Sequence, residues 1–229
     1  MTHRLLCCSD THGEMPPSLD EAGAVGWLHA GDICNGPDIV ESDTDPTDDL
    51  LLAPVARWVE ERRDRLWIVP GNHDVADVYH AFQGDAPISG RIIRLAENLC
   101  VAGIGWHGEK YYDLPLERDL TPACESVLRQ ARRLLSRRDH LILLTHYPPR
   151  FPGTRDVPND RDGCGVWYDC VRHLVEELKP VAIVQGHNHR WFGTSHRVAL
   201  SNREILILNP GPTGCILEID SASGEARAS

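Results

Sequence analysis

The chain has 229 residues, 41% hydrophobic and 25% charged, the balance of a soluble globular protein with one substantial core, and a single domain over 1–229 is expected. No apolar run reaches the roughly 18 residues of a membrane span. The start Met-Thr-His-Arg lacks the regions of a signal peptide, so a cytoplasmic protein without membrane contact is expected. A formal net charge of −11 argues against long nucleic acid as a partner, because affinity for a phosphate backbone comes from Lys and Arg.

In chain order, 3–9 reads as a strand ending at Ser9-Asp10-Thr11-His12-Gly13, followed by a short helix near 18–23. Residues 25–30 form a second strand ending at Gly31-Asp32. A polar loop over 35–48 follows, and its segment 41–49 carries five carboxylates and no base. Leu51, Leu52, Val55, Trp58 and Val59 recur at helical spacing, which predicts a helix over roughly 49–63. Residues 66–69 are a third strand, and Gly71-Asn72-His73-Asp74 stands at its end. Residues 75–90 read as irregular. Strands over 91–95 and 98–104 then meet at a turn near Glu97, followed by a loop holding Trp106, His107, Tyr111 and Tyr112.

Thr121-Pro122 opens a helix of about 122–138, since proline suits a first turn. Its apolar face is Val127, Leu128, Ala131, Leu134 and Leu135, and its arginines read as a solvated face rather than an anion patch. A strand at 141–144 ends at Thr145-His146. The loop 147–165 contains Arg150, Arg155 and Arg161, and a loop of that length is usually functional. A helix over 166–178, a strand over 181–185 ending at Gly186-His187-Asn188-His189, and strands near 196–200, 204–208 and 215–219 complete the chain. A turn lies at Asn209-Pro210-Gly211-Pro212, and 221–229 reads as a frayed end. Strands alternate with helices in the middle and follow one another at the end, which predicts a mixed sheet core with flanking helices. The eight cysteines include no C-x-x-C pair and most lie in apolar runs, so they read as buried free thiols rather than a zinc or disulfide framework.

One pattern stands out. Five strand-like runs each end in residues that bind metal, followed by Gly or small polar residues that let the backbone turn tightly. The candidates are Asp10, His12, Asp32, Asn72, His146, His187 and His189. Imidazole, carboxylate and amide oxygen without thiolate suit Mn, Fe, Co, Ni or Zn; among these manganese is the expected ion. Seven side chains exceed one tetrahedral ion, whereas two ions sharing a carboxylate would use them all. Two-metal sites stabilise the attacking and leaving oxygens of a displacement at phosphorus.

In order and kind, Asp10-x-His12, Gly31-Asp32, Gly71-Asn72-His73-Asp74, His146 and Gly186-His187-x-His189 resemble the calcineurin-like metallophosphoesterase superfamily, over most of the chain. The resemblance implies an α/β fold, an αββα sandwich of mixed β-sheets flanked by helices, with two divalent ions at the strand ends. Asp10, His12, Asp32 and His189 would hold one ion. Asp32, Asn72, His146 and His187 would hold the other, with Asp32 bridging. A hydroxide between the ions would attack phosphorus, His73 would protonate the leaving oxygen, and Asp74 would orient and polarise His73.

The second block reads Gly-Asp-Ile-Cys-Asn-Gly and the third ends in Asp, unlike the protein-phosphatase branch. The chain is more similar to small single-domain phosphodiesterases, a group like the class III cyclic-nucleotide enzymes, and its Ser9-Asp10-Thr11-His12-Gly13 and Asn209-Pro210-Gly211 resemble compact members of that group. A small phosphodiester is therefore the expected substrate. A phosphomonoesterase or nucleotide pyrophosphohydrolase is the alternative, and a non-catalytic scaffold, as in a retromer subunit of this superfamily, is remote because every ligand position is filled. The arginines of 147–165 and the aromatic residues of 105–115 stay open as substrate contacts or as ordinary surface and packing. The acidic loop could disfavour polyanions.

Overall fold

A computed structural model of the chain describes residues 1–34, 53–74, 87–106, 114–149, 168–200 and 203–229. Eleven strands among them form two sheets. In one the order is β11 (Ala226–Ala228), β10 (Cys215–Asp220), β1 (Thr2–Cys8), β2 (Gly26–His29), β3 (Leu66–Ile68). In the other it is β4 (Ile92–Ala96), β5 (Leu99–Ile104), β6 (His140–Thr145), β7 (Ala182–Gln185), β9 (Arg203–Asn209), β8 (Thr194–Leu200). Strands β1, β2 and β3 run parallel, as do β5, β6, β7 and β9. Antiparallel strands stand at the margins. The long parallel crossovers carry helices α1 (Ala53–Arg62), α2 (Glu117–Leu134) and α3 (Asp169–Leu178).

Alternation along the strands sorts side chains among three apolar layers, one between the sheets and one on the outer face of each. Leu5 and Cys7 of β1, Ile142 and Leu144 of β6, Ala182 and Val184 of β7, and Leu206 and Leu208 of β9 share one cluster between the sheets. Leu6 and Cys8 turn the other way onto Val55, Trp58 and Val59 of α1. Leu141, Leu143, Ile183, Ile205 and Ile207 turn onto Leu120, Cys124 and Val127 of α2 and Val171 and Leu174 of α3. Central strands covered on both faces need continuous apolar runs, which is why β1, β6 and β7 read so plainly in the sequence. The result is the expected helix–sheet–sheet–helix sandwich. Five of the eight cysteines, Cys7, Cys8, Cys34, Cys100 and Cys124, are buried free thiols, as expected.

Three local readings change. Helix α2 begins at Glu117 rather than near Pro122, because the Asp119 carboxylate accepts the Leu116 N–H at 2.7 Å and closes an earlier first turn. It stops at Leu134 because the Asp139 carboxylate captures the Ser136 N–H at 2.7 Å. The chain end is not frayed: Asp220 accepts the N–H groups of Ala222 and Ser223 in a turn that folds β11 back onto β10. Near 18–23 there is a turn in place of a helix, with the Ala22 N–H on the Asp20 carboxylate at 3.0 Å. The acidic segment 41–49, residues 107–113 and the arginines of the 150–167 stretch lie outside the described residues.

Candidate metal centre

The carboxyl ends of β1, β2 and β3 in one sheet and β6 and β7 in the other come together, and each delivers part of the predicted set. Asp10, Asp32, Asn72, His146 and His187 are buried. His12 is half-buried and His189 more exposed. Of the five non-glycine residues with positive φ among those described, four are members of the set: Asp10 (53°), His12 (47°), Asp32 (55°) and His187 (69°). A left-handed backbone at such residues is costly, and it persists where the surrounding structure over-determines it.

The glycines of the motifs make the convergence sterically feasible. A Cβ on Gly71 would sit 2.2 Å from the Asp32 carboxylate, and one on Gly186 would sit 2.8 Å from that of Asp10. Only hydrogen fits where these loops cross.

Four atoms meet in one half of the site. Asn72 Oδ1 lies 3.2 Å from His146 Nε2 and 2.9 Å from His187 Nδ1, and His146 Nε2 lies 3.3 Å from Asp32 Oδ2. On its far side, His146 Nδ1 donates to the Ala30 carbonyl at 2.8 Å, so Nε2 is the ring atom turned toward two oxygens, and its lone pair is the one available to a metal when the ring is neutral. Acceptors facing one another in a buried place need a proton or a cation between them. Donor atoms about 2.1 Å from a shared divalent ion stand about 3.0–3.4 Å apart, close to the 2.9, 3.2 and 3.3 Å found here.

The other half gathers Asp10, His12 and His189, whose ligand atoms all lie within 4.8 Å of one another. His189 Nε2 is 3.5 Å from Asp10 Oδ1. Asp10, Asp32 and His146 form a further such group, and so do His12, Asp32 and His73. Asp10 Oδ2, His12 Nε2 and His187 Nε2 are buried and have no hydrogen-bond partner among the described residues. Buried carboxylate and imidazole atoms without such a partner have the chemistry that holds divalent metal.

The electrostatics agree. Burial works against charge on His146, yet the Asp32 carboxylate beside it raises it to about 9 in the metal-free chain. Burial would push Asp32 up, but His146 holds it well below the usual carboxylate range. Burial, helped by the neighbouring His146, pushes His187 down to about 3. Two buried carboxylates thus draw positive charge here: Asp32 raises His146, and the hydrogen bond to Asp10 raises His189.

His73 is half-buried beside His12, with ring centroids 4.6 Å apart, and its backbone N–H donates to Asp32 Oδ1 at 2.9 Å. Burial lowers its pKa, with Asp32 acting in the opposite direction. Asp74 does more than its place in the motif suggests. Its carboxylate accepts the backbone N–H of Asp32 at 2.8 Å, of Cys34 at 3.0 Å and of Gly71 at 2.9 Å.

Several supporting residues escaped sequence reasoning. His29, buried and pushed down to about 4 by that burial, meets the Thr11 hydroxyl at 3.1 Å, in the turn between Asp10 and His12. Tyr147 stacks edge-on against His146 with centroids 5.0 Å apart. The only sequence signal for His29 and Tyr147 was their position, shortly before Asp32 and directly after His146.

The sequence model of calcineurin-like phosphoesterases matches residues 3–191. No curated protein matches the chain. Among solved structures, TT1561 of Thermus thermophilus superimposes with a TM-score of 0.62 at 14% identity, covering 100% of this chain and 99% of its own. A phosphoesterase of E. coli, Yfce, aligns at 14% identity over 95% of this chain and 88% of its own, with a TM-score of 0.41.

Proposed function

Because this chain belongs to the calcineurin-like phosphoesterase family, we propose that it is a dinuclear, metal-dependent phosphodiesterase that hydrolyses a small diester with His73 as general acid. The observation that carries this reading is the pair of donor clusters sharing Asp32. Asn72, His146 and His187 gather on one side of it, and Asp10, His12 and His189 on the other. When bound, two divalent ions, manganese favoured, would supply hydroxide near neutral pH and take up charge on the phosphoryl oxygens.

The chain's own residues supply the rest. Asp32 presents one carboxylate oxygen to the His146 side and receives the His73 N–H on the other. His146 is held in the tautomer that leaves Nε2 free to ligate, because the Ala30 carbonyl takes the Nδ1 proton. His73 stands at the partly open rim beside His12, where an imidazolium can hand its proton to a departing alkoxide. A diester's alkoxide needs that proton more than a good leaving group does. Asp74 enters as the group that holds the backbone on which Asp32 and His73 are mounted. Net charge of −11 favours small diesters over polyanions. No described helix is long and apolar enough to cross a membrane.

The deciding experiment compares bis-p-nitrophenyl phosphate with p-nitrophenyl phosphate on metal-stripped protein reloaded with Mn²⁺. The diester is expected to turn over faster. Faster monoester cleavage would favour the phosphomonoesterase alternative, and no turnover of either at full loading would favour a scaffold.

A further inference from the structure

The match to the family model ends at residue 191, yet a turn beyond it touches the backbone or side chains beside three ligands of the centre. Asn209, the last residue of β9, is buried, and its Nδ2 donates to the Asn188 carbonyl at 3.0 Å. Asn188 lies between His187 and His189. Two residues on, the Gly211 carbonyl accepts the Ser9 N–H at 3.1 Å, directly before Asp10. Gly211 has φ 59°, and a Cβ there would lie 2.6 Å from Cγ of Phe192. The absent side chain leaves room for the Phe192 ring, which lies 4.7 Å from that of His189 at an interplanar angle of 32°.

We infer that the Asn209-Pro210-Gly211 turn is a positioning element of the metal centre, with Asn209 and Gly211 fixing Asp10, His187 and His189 through Asn188, Ser9 and Phe192. The inference rests on the dinuclear reading above. Its physical basis is strain: Asp10 and His187 both have left-handed backbones, and each is next in sequence to a residue, Ser9 or Asn188, whose backbone this turn holds. Asn209 also keeps a buried Oδ1 with no partner among the described residues. A side chain that carries an unsatisfied buried oxygen is better explained by what its NH₂ holds than by its own packing.

That orphan oxygen makes the test selective. Leucine is nearly isosteric with asparagine, so Asn209→Leu removes the donor to Asn188 and the unsatisfied oxygen together. Stability of the metal-free protein should change little, while ligand placement loosens. Gly211→Ala is the second variant, since it pushes on Phe192 and leaves Asn209 intact. Mn²⁺ binding to the stripped full chain would be followed by calorimetric titration and electron paramagnetic resonance, alongside thermal melts of the metal-free forms. Two bound ions are expected in the wild type. Both variants should weaken the ion held by Asp10, His12 and His189 by about ten- to a hundredfold, with the other ion affected less and the metal-free melting temperature nearly unchanged in Asn209→Leu. Unchanged affinities in both variants would overturn the inference. So would an equal weakening of both ions that tracks a loss of metal-free stability. A wild type that takes up no divalent ion overturns the dinuclear reading itself, a failure visible before any variant is compared.

Discussion

Asp74 accepts the backbone N–H of Asp32 at 2.8 Å, so one buried carboxylate holds the peptide that carries another. The same Asp74 oxygen takes the Gly71 N–H at 2.9 Å, and its second oxygen takes that of Cys34 at 3.0 Å. The loops after β2 and β3 are therefore tied together one residue before Asn72. Asp74→Asn turns one acceptor into a donor facing an N–H. It should weaken Mn²⁺ binding by about tenfold or more and cost about 1–3 kcal/mol of stability. The loss of activity should be uniform across diesters with different leaving groups. A loss confined to poor leaving groups, with metal retained, would show instead that Asp74 acts by polarising His73.

His73 sits beside the candidate ligand His12 yet outside the four-atom cluster of Asn72, His146, His187 and Asp32. His73→Ala should keep both metals while lowering cleavage of alkyl diesters by about 10²–10⁴-fold, the usual contribution of a general acid. The loss should shrink for p-nitrophenyl diesters, whose leaving group needs no proton. Metal analysis of the variant checks the first half, and a leaving-group series checks the second. Loss of metal would reassign His73 as a ligand.

The five candidate blocks could be singled out in the sequence because each closes a strand buried on both faces, and such strands announce themselves as apolar runs. Residue type carried the chemistry, since Asp, Asn and His at a tight turn have few structural uses in common. The supporting contacts were not legible. Asp74 spans 42 residues to reach Asp32, and Asn209 spans 21 to reach Asn188. Periodicity has no access to pairs that meet only once parallel strands far apart in sequence have paired side by side, as β2 with β3 and β7 with β9. The tail was misread for a related reason: β11 is three residues long, and its pairing depends on the Asp220 turn rather than on any pattern of its own. The start of α2 was misplaced because Pro122 is a familiar opening signal, whereas the Asp119 side chain sets the first turn.

Metal removal should be felt as a loss of stability as well as of activity. Asp10 and Asp32 are buried within one cluster with His146, and several donor atoms there have no partner among the described residues. Ions that bind only the folded chain stabilise it by mass action, about 2.7 kcal/mol at a hundred times the dissociation constant. Stripping with a chelator should therefore lower the melting temperature, and Mn²⁺ should restore it in proportion to the logarithm of its concentration. Restoration by Mn²⁺ should fail in His146→Ala. Equal melting temperatures with and without ion would count against a preformed site.

Far from the centre, Asp139 tests the electrostatics of the scaffold. Its carboxylate accepts Arg94 Nη1 at 2.6 Å and the Ser136 N–H at 2.7 Å, at the turn between α2 and β6. The Arg94 guanidinium, aided by Ser136, holds it well below the usual carboxylate range. A carboxylate whose pKa is depressed on folding contributes fully above its unfolded value of about 3.9 and loses that contribution as pH falls toward the folded value. Arg94 is 44% exposed, so solvent screens the pair, and Asp139→Asn should cost only about 1–2 kcal/mol at pH 7. For a chain of this size that is a drop of about 2–8 °C in melting temperature. Melts of metal-free wild type and variant at pH 7, 4 and 3 check the sign: the gap should be widest at pH 7 and narrow below pH 4. A gap that widens as acid is added would mean that the ion pair is not what stabilises this turn.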